Sequence, residues 1–576
     1  MISRQSSSRV RKPFAIYNVI VSCAAIAGAV MLPTASVAEQ LPEVRKQGKA
    51  VQLMVDGKPW TALAGEVHNS VASNAAYMTP IWDRLALLNL NTVITPAYWE
   101  LVEPEEGRFD FALIDTQLRE ARQRKMRIVL LWFGSLKNAK SSYAPEWVLA
   151  NRGRFPRAVT RPSSLPFAKG EPQISVFDNA VVNADAKAFA AVMAHLAEVD
   201  PQHTVIAVQV ENETGILGDS RDRSRTANRA WNAQVPAALM SHLERQKGRL
   251  VPSVEALWAK TGYRKSGTWA QVFGESWEAE ELFMAWGTSH LVGRVAAAGK
   301  AALALPMYAN AWVGPQRPGD FAGAYPSGGP VPRVFDVWKA GAPSLDWLSP
   351  DIYVDDFSGW VKQYAMPGNM LFVPEARYVV GNLFLALGQY QATGFSPFGI
   401  ETGVPGNQIS EAYGLLNGLG DMIGRSQADG KLTGFALAKG ETHKATLGDY
   451  VVTVRGQQEA LSKMLLDMGI TIPTEKPEQK VQNIGDQASE LSDTRPMGLV
   501  LQLASDEFLV IGKDVNVSFA RKTGSGTEAE LARVEEGNFV DGRWTMRRVI
   551  NGDERLNITP TNNFGMTRIK LIRRDK

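Results

Sequence analysis

Gln209-Val210-Glu211-Asn212-Glu213-Thr214-Gly215 follows directly on the apolar run Val205-Ile206-Ala207-Val208. An apolar run without polar alternation reads as a strand buried on both faces. This one stops abruptly at two carboxylates, an amide and a glycine. Such a stop is the pattern of a barrel strand delivering acids to an active-site rim at its C-terminal end. Carboxylates at a rim suit acid–base chemistry, because burial and neighbouring charge tune their hold on a proton.

Working outward, residues 61–67, 92–97, 127–133, 305–310, 348–353, 370–374 and 394–400 give seven more short apolar strands. Amphipathic helix patterns separate them at 77–89, 114–125, 185–199, 235–247, 279–298 and 410–425. Eight strands alternating with helices or long loops predict an α/β fold, a TIM (β/α)8 barrel. The competing open doubly wound sheet loses ground because no Gly-rich phosphate loop follows any of the strands. Residues 134–183 and 311–344 are long connections rich in Pro, Gly and aromatics, read as walls of a cleft. From residue 430 the pattern turns to short β-type runs with polar turns, at 432–437, 450–454, 497–503, 508–511, 515–519, 544–550 and 567–572. These predict a smaller β-sandwich-like domain, with 474–492 as a charged loop between its strands. The expected organisation is 1–38 signal peptide, 40–428 barrel and 430–576 β-rich domain.

The leader reading rests on Arg4, Arg9, Arg11 and Lys12, an apolar stretch over 15–32 and the small-residue site Ser36-Val37-Ala38. The alternatives are an uncleaved anchor and lipidation at Cys23. Removing this +4 segment takes the formal charge from +3 to −1, so no nucleic-acid partner is implied. Cys23 is the only cysteine, so the processed chain has no disulfide, thiolate or zinc–cysteine chemistry. The six histidines show no metal-ligand spacing, and there is no Gly-x-Ser-x-Gly elbow. No metal and no cofactor is expected. Localisation is expected to be periplasmic after export, with an outer-membrane lipoprotein or a secreted protein as alternatives and no stable membrane span after cleavage.

Glu213 ends the fourth strand and Glu375 follows the seventh, Leu371-Phe372-Val373-Pro374. Strands four and seven of a barrel face each other across its cleft. A protonated and an ionised carboxyl there suit cleavage of a glycosidic bond. The motif Gln209-x-Glu211-Asn212-Glu213 resembles the acid/base signature of glycoside hydrolase family 35, the β-galactosidases, over about residues 50–425. Gly65-Glu66-Val67-His68, Trp99, Glu103-Pro104-Glu105-Glu106-Gly107-Arg108-Phe109-Asp110-Phe111 and Ala144-Pro145-Glu146-Trp147 agree with it. Pro201-Gln202-His203 and Thr214 depart from the family pattern, as does Pro374-Glu375-Ala376-Arg377-Tyr378. Family 42 shares the Glu-Pro-x-x-Gly-x-Phe-Asp-Phe segment. The C-terminal region resembles the accessory domain of a bacterial subgroup associated with xyloglucan side chains.

The resemblance implies Glu213 as general acid/base, Glu375 as nucleophile and Asn212 as the holder of the sugar 2-hydroxyl. Glu211, on the face of Glu213 by i, i+2 alternation, is the rival acid. Tyr353 ends strand six, where clan members place a tyrosine on the nucleophile. Tyr308, Asn310, Trp99, Trp132, Trp312, Glu66 and Asn138 are further candidates for contacting sugar. The reading is a cofactor-independent, exported, retaining exo-β-galactosidase acting on oligosaccharides, including xyloglucan side chains. A homodimer is compatible with it. The alternatives are a family 42-like β-galactosidase, another clan β-glycosidase or endo-β-glycanase, and a glycan-binding protein without catalysis.

Overall fold

The structure, a computed structural model, describes residues 40–162, 173–470, 493–522, 526–556 and 558–575. The expected leader 1–38 and the whole of the expected loop 474–492 lie outside the described residues.

Eight parallel strands close the expected barrel: β4 (Ala62–Glu66), β5 (Thr92–Tyr98), β6 (Arg127–Lys137), β7 (Val205–Asn212), β8 (Met307–Trp312), β9 (Trp347–Ile352), β10 (Val373–Ala376) and β11 (Gly394–Pro397). Their order around the barrel is the chain order, β11 pairing back onto β4. Both faces of each strand are covered, which is why they read as unbroken apolar runs rather than alternating ones. Inward side chains such as Ile94, Leu131, Ile206, Tyr308 and Phe372 fill the interior. Outward ones such as Val93, Leu130, Val208 and Ala309 pack against the helix layer.

Ahead of the barrel runs a three-stranded antiparallel sheet, β1 (Glu43–Gln47), β2 (Ala50–Val55) and β3 (Lys58–Pro59), which the apolar-run reading, starting at residue 61, does not include. Leu53 and Val55 of β2 join the interior cluster. β6 runs four residues beyond its expected end at 133, and its pairing with β7 shifts register between Trp132 and Lys137. The region expected as one helix over 410–425 is two, Gln408–Asn417 and Met422–Asp429.

After the barrel come β12 (Leu432–Ala436), β13 (His443–Leu447), β14 (Tyr450–Gly456), β15 (Met497–Ala504), β16 (Glu507–Lys513), β17 (Val515–Arg521), β18 (Thr527–Val540), β19 (Arg543–Ile550) and β20 (Gly565–Asp575). They form a six-stranded sheet, β12-β15-β16-β20-β18-β19, and a three-stranded sheet, β13-β14-β17. Period-2 alternation gives the larger sheet two apolar faces. Val500, Phe508 and Ile569 pack with Tyr450, Val452 and Val517 of the smaller sheet. Leu499, Leu501 and Ile511 instead join Leu383, Phe384 and Leu387 of the helix layer. Among the described residues, no helix is long and apolar enough to cross a membrane.

Candidate active site

At the C-terminal end of β7 the backbone leaves the strand conformation. Glu211 and Glu213 both take positive φ, 62° and 43°. The left-handed region costs a non-glycine residue about 1–3 kcal/mol, and such strain persists only where surrounding contacts hold it. Its effect here is to break the i, i+2 alternation. Glu211 turns towards the helix layer, where its carboxylate accepts from the backbone N–H of Leu136 (2.7 Å) and Ser135 (3.1 Å). Asp185, on the helix Asn179–Val199, sits beside it and accepts from Trp132 Nε1 (2.8 Å) and Ser135 Oγ (2.6 Å). Gly134 leaves the space: a Cβ there would lie 2.4 Å from Glu211 Oε1 and 2.8 Å from Asp185 Oδ2. Burial, then the charge of Asp185, raises the Glu211 carboxyl well above the usual range.

Asn212 and Glu213 point the other way. One carboxylate oxygen from each of Glu213, Asp351 and Glu375 lies within 4.8 Å of the other two. Glu375, on β10, is gripped by neutral donors: Asn212 Nδ2 (2.9 Å) and Asn310 Nδ2 (3.2 Å) on Oε1, and the Tyr353 hydroxyl (2.6 Å) on Oε2. Asn310, near the end of β8, ties the group together. Its Oδ1 accepts from the Glu213 backbone N–H (2.9 Å), and its Nδ2 also donates to Asp351 Oδ2 (2.7 Å). Glu213 is pushed up to about 8, first by burial and then by the negative charge of Glu375, with the Lys137 ammonium and Asp351 acting the other way. Burial followed by the charge of Glu375 also lifts Asp351 well above the carboxylate range.

Beneath this group Glu66, at the end of β4, is fully buried, and neither of its oxygens finds a hydrogen-bond partner among the described residues. Burial and the charge of Glu375 hold its proton on far above the ordinary value. Four carboxyls thus share one pocket with one ammonium, that of Lys137, which donates to Asn212 Oδ1. Repulsion forbids all four from ionising together. The cleft above them has a volume of about 570 Å³ and is walled by Glu213, Trp312, Arg317, Asp351, Tyr353 and Arg377. Arg377 pairs with Asp355 at 2.8 Å on the same wall.

The structure therefore gathers Glu213, Glu375, Asn212, Asn310, Tyr353, Trp312 and Glu66 around one cleft. It does not bring the other candidates to the cleft wall. Trp132 is fully buried on the outer side of β6, its Nε1 on Asp185 and its ring against Phe189. Trp99 is fully buried too, donating to Glu103 (2.9 Å) and meeting Trp147 edge-on. Tyr308 lies beneath the carboxyls and not on the cleft wall: it is fully buried, stacked on Trp347 at 4.7 Å, and burial followed by the charges of Glu66, Asp351 and Glu375 holds its hydroxyl proton on well above the ordinary value. Asn138 holds its side-chain oxygen on Ser141 (3.1 Å) and its backbone N–H on Asn212 O (3.0 Å).

Two site residues escaped the sequence reading. Asp351 was legible in principle, since it stands near the end of β9, two residues before Tyr353, which follows the strand directly. Lys137 was not, because the register shift in β6 carries the strand to it.

Residues 78–272 match the family model of glycoside hydrolase family 42, described as β-galactosidase. That span contains Glu213 and ends before Glu375. Residues 409–559 match a domain of unknown function, DUF5597. A β-galactosidase of Xanthomonas manihotis is 30% identical over 199 residues, 34% of this chain. The match spans 30% of that relative's length. Among solved structures, a β-galactosidase from Bacillus circulans sp. alkalophilus superposes with a TM-score of 0.45 at 9% identity, over 88% of this chain and 99% of its own. The catalytic domain of a β-amylase from Paenibacillus polymyxa gives 0.39 at 11% identity, over 59% and 92%. A β-galactosidase from Rahnella sp. R3 gives 0.37 at 15% identity, over 59% and 51%. The matched family model is that of family 42, where the motifs resemble family 35. The likeness therefore stands at the level of β-galactosidase-like glycoside hydrolases.

Proposed function

We propose that this protein is a retaining β-galactosidase that removes terminal β-galactosyl residues from oligosaccharides by double displacement. The observation that carries this reading is the carboxylate group itself. Glu213, pushed up to about 8, is still protonated at neutral pH, and its oxygen lies within 4.8 Å of one of Glu375. Retaining enzymes hold their two carboxyls about 5–5.5 Å apart, whereas inverting ones leave about 6.5–9.5 Å for a water.

In the first step Glu375 attacks the anomeric carbon while Glu213 delivers its proton to the departing glycosidic oxygen. The three neutral donors on Glu375 orient it and leave its charge in place for attack. Tyr353 and Asn212 can pass their hydrogen bonds from the nucleophile to the sugar once the ester forms. Esterification removes the negative charge that lifts Glu213, so Glu213 ionises more readily and accepts a proton from the attacking water. Glu211 takes no part; it braces β7 against the helix layer through Asp185 and the 135–136 backbone.

Galactose as the sugar is supported by the family model and the Xanthomonas relative. That model favours a family 42-like enzyme, while the Gln209–Glu213 motif favours family 35. The basic, apolar and small-residue pattern of 1–38 supports export to the periplasm, and the β-rich C-terminal resemblance supports xyloglucan side chains as a galactose source. A panel of aryl β-glycosides tests the sugar, and a 2-deoxy-2-fluoro-galactoside tests the chemistry. A covalent adduct on Glu375 is expected. A preference for another aryl glycoside would overturn the specificity, and a protein that binds galactosides with neither turnover nor adduct would be a glycan-binding protein instead.

A further inference from the structure

A second concavity opens on the same rim of the barrel. It is a groove of about 1220 Å³ over the ends of β4 and β11, lined by His68, Asn69, Tyr77, Arg84 and Glu401 among others. None of these residues touches the cleft described above.

Three features define what the groove suits. Tyr77, on the helix Ala75–Leu87, is 63% exposed and offers an aromatic face with a phenol edge. The side-chain oxygen of Asn69 is buried yet has no hydrogen-bond partner among the described residues. The polar side chains are tied together by hydrogen bonds: Arg84 Nη1 donates to the Glu401 backbone carbonyl (2.8 Å), and the Glu401 carboxylate meets His68 Nδ1 (2.5 Å) and accepts from the His68 backbone N–H (3.3 Å). An aromatic platform, a buried acceptor and a rim of hydrogen-bonding groups suit a hydroxyl-rich ligand, whose apolar ring face covers the aromatic while its hydroxyls reach the polar rim.

A line of packed aromatic rings separates the groove from the carboxylates and sets the two concavities side by side. The His68 ring meets Phe398 edge-on at 4.9 Å, and Phe398 meets Tyr353, which donates to Glu375, at 6.4 Å. We propose that this groove is a distal glycan subsite, holding sugar units of the substrate beyond the residue whose bond is cleaved. The inference rests on the β-galactosidase reading and adds a chain-length preference to it.

The test compares an aryl β-galactoside with β-galacto-oligosaccharides from disaccharide to hexasaccharide. In the wild-type protein kcat/KM should rise with chain length. Tyr77→Ala, at an exposed position, should flatten the rise and lower the value for the longest substrate about five- to tenfold, the size of one lost aromatic contact. Asn69→Ala should act in the same direction, while the aryl galactoside is cleaved at the wild-type rate by both variants. A wild-type enzyme indifferent to chain length, or variants that lower both substrates equally or neither, would overturn the subsite. Failure to cleave any of the galactosides would instead overturn the activity on which it rests.

Discussion

Replacing Glu375 by Gln removes one negative charge while keeping the side chain's shape, and the effect should be read on Glu213. Two unit charges 4.8 Å apart, the limit on the oxygen–oxygen separation, repel by about 3.5 kcal/mol at an effective dielectric near 20. At 1.36 kcal/mol per pKa unit this is about 2.5 units. Glu213 stands at about 8 in the intact protein, so Glu375→Gln should bring it to about 5.5. The remainder reflects burial, which the substitution leaves alone. A difference infrared titration reads the change, with Glu213 identified by the carboxylic band that Glu213→Gln removes. Stability is the poorer readout, because the new amide NH2 must face either the two Asn donors or the Tyr353 hydroxyl, at about 1–3 kcal/mol for the mismatch. On the proposed mechanism turnover should be abolished and galactoside binding retained. A Glu213 titration that moves by less than half a unit would refute the reasoning, since the acid could not then become the base when Glu375 is esterified.

Four further outcomes follow from the geometry. Glu213→Gln should remove the alkaline limb near pH 8 and slow sugar leaving groups by about 10²–10⁴, the range of general-acid catalysis, while activated phenols suffer least; equal losses across leaving groups in a Brønsted series would count against its role. Tyr353→Phe, which strips the 2.6 Å bond from Glu375, should lower kcat by about tenfold to a hundredfold with KM nearly unchanged, the worth of one hydrogen bond to a charged group; steady-state kinetics decide. Trp132→Phe should cost about 1–3 kcal/mol in a denaturant melt through its lost bond to Asp185 and leave KM as it was; a raised KM would return Trp132 to the sugar. Glu211 has a raised folded pKa, so the stability it lends is present below its unfolded value and lost as pH rises. Glu211→Gln, placing its oxygen on Leu136 N–H and its NH2 on Asp185, should therefore gain melting temperature over wild type as pH climbs from 5 towards 9 while keeping most activity. A constant difference across that range would exclude the assigned cause.

The eight barrel strands were legible because strands covered on both faces carry no polar alternation, so each appears as an unbroken apolar run ending in rim residues. Glu213, Glu375, Asn310 and Tyr353 were legible for the same reason, each lying at or just beyond such an end. Elements with a wet face were harder to see. β18 alternates charged and small residues over Thr527–Val540, with intermediate and exposed positions interleaved along much of its length, and was not separated as a strand. Trp99 and Trp132 show the limit of residue type: the Trp132 indole answers to Asp185, 53 residues away on an element that no local pattern connects to it, and Trp99 is buried between Glu103 on its own helix end and Trp147 beyond the next strand. Lys137 depended on a register shift, a property of the pairing of β6 with β7 rather than of either segment.

The same limit explains why Glu211 looked like a competitor for Glu213. Strict alternation would send both carboxylates into the barrel, adding a fifth acid to a pocket where Lys137 already faces four. The left-handed turns at Glu211 and Glu213 prevent that by rotating Glu211 onto the Ser135 and Leu136 amides and leaving Asn212 to face Glu375. Strain in the backbone thus does electrostatic work. It keeps the repulsion on Glu213 to what raises its proton affinity into the neutral range, and it sets a neutral amide, rather than another charge, against Glu375. A substitution that relieved the kink would be expected to stabilise β7 and disorganise the chemistry together, because the same two dihedral angles govern both.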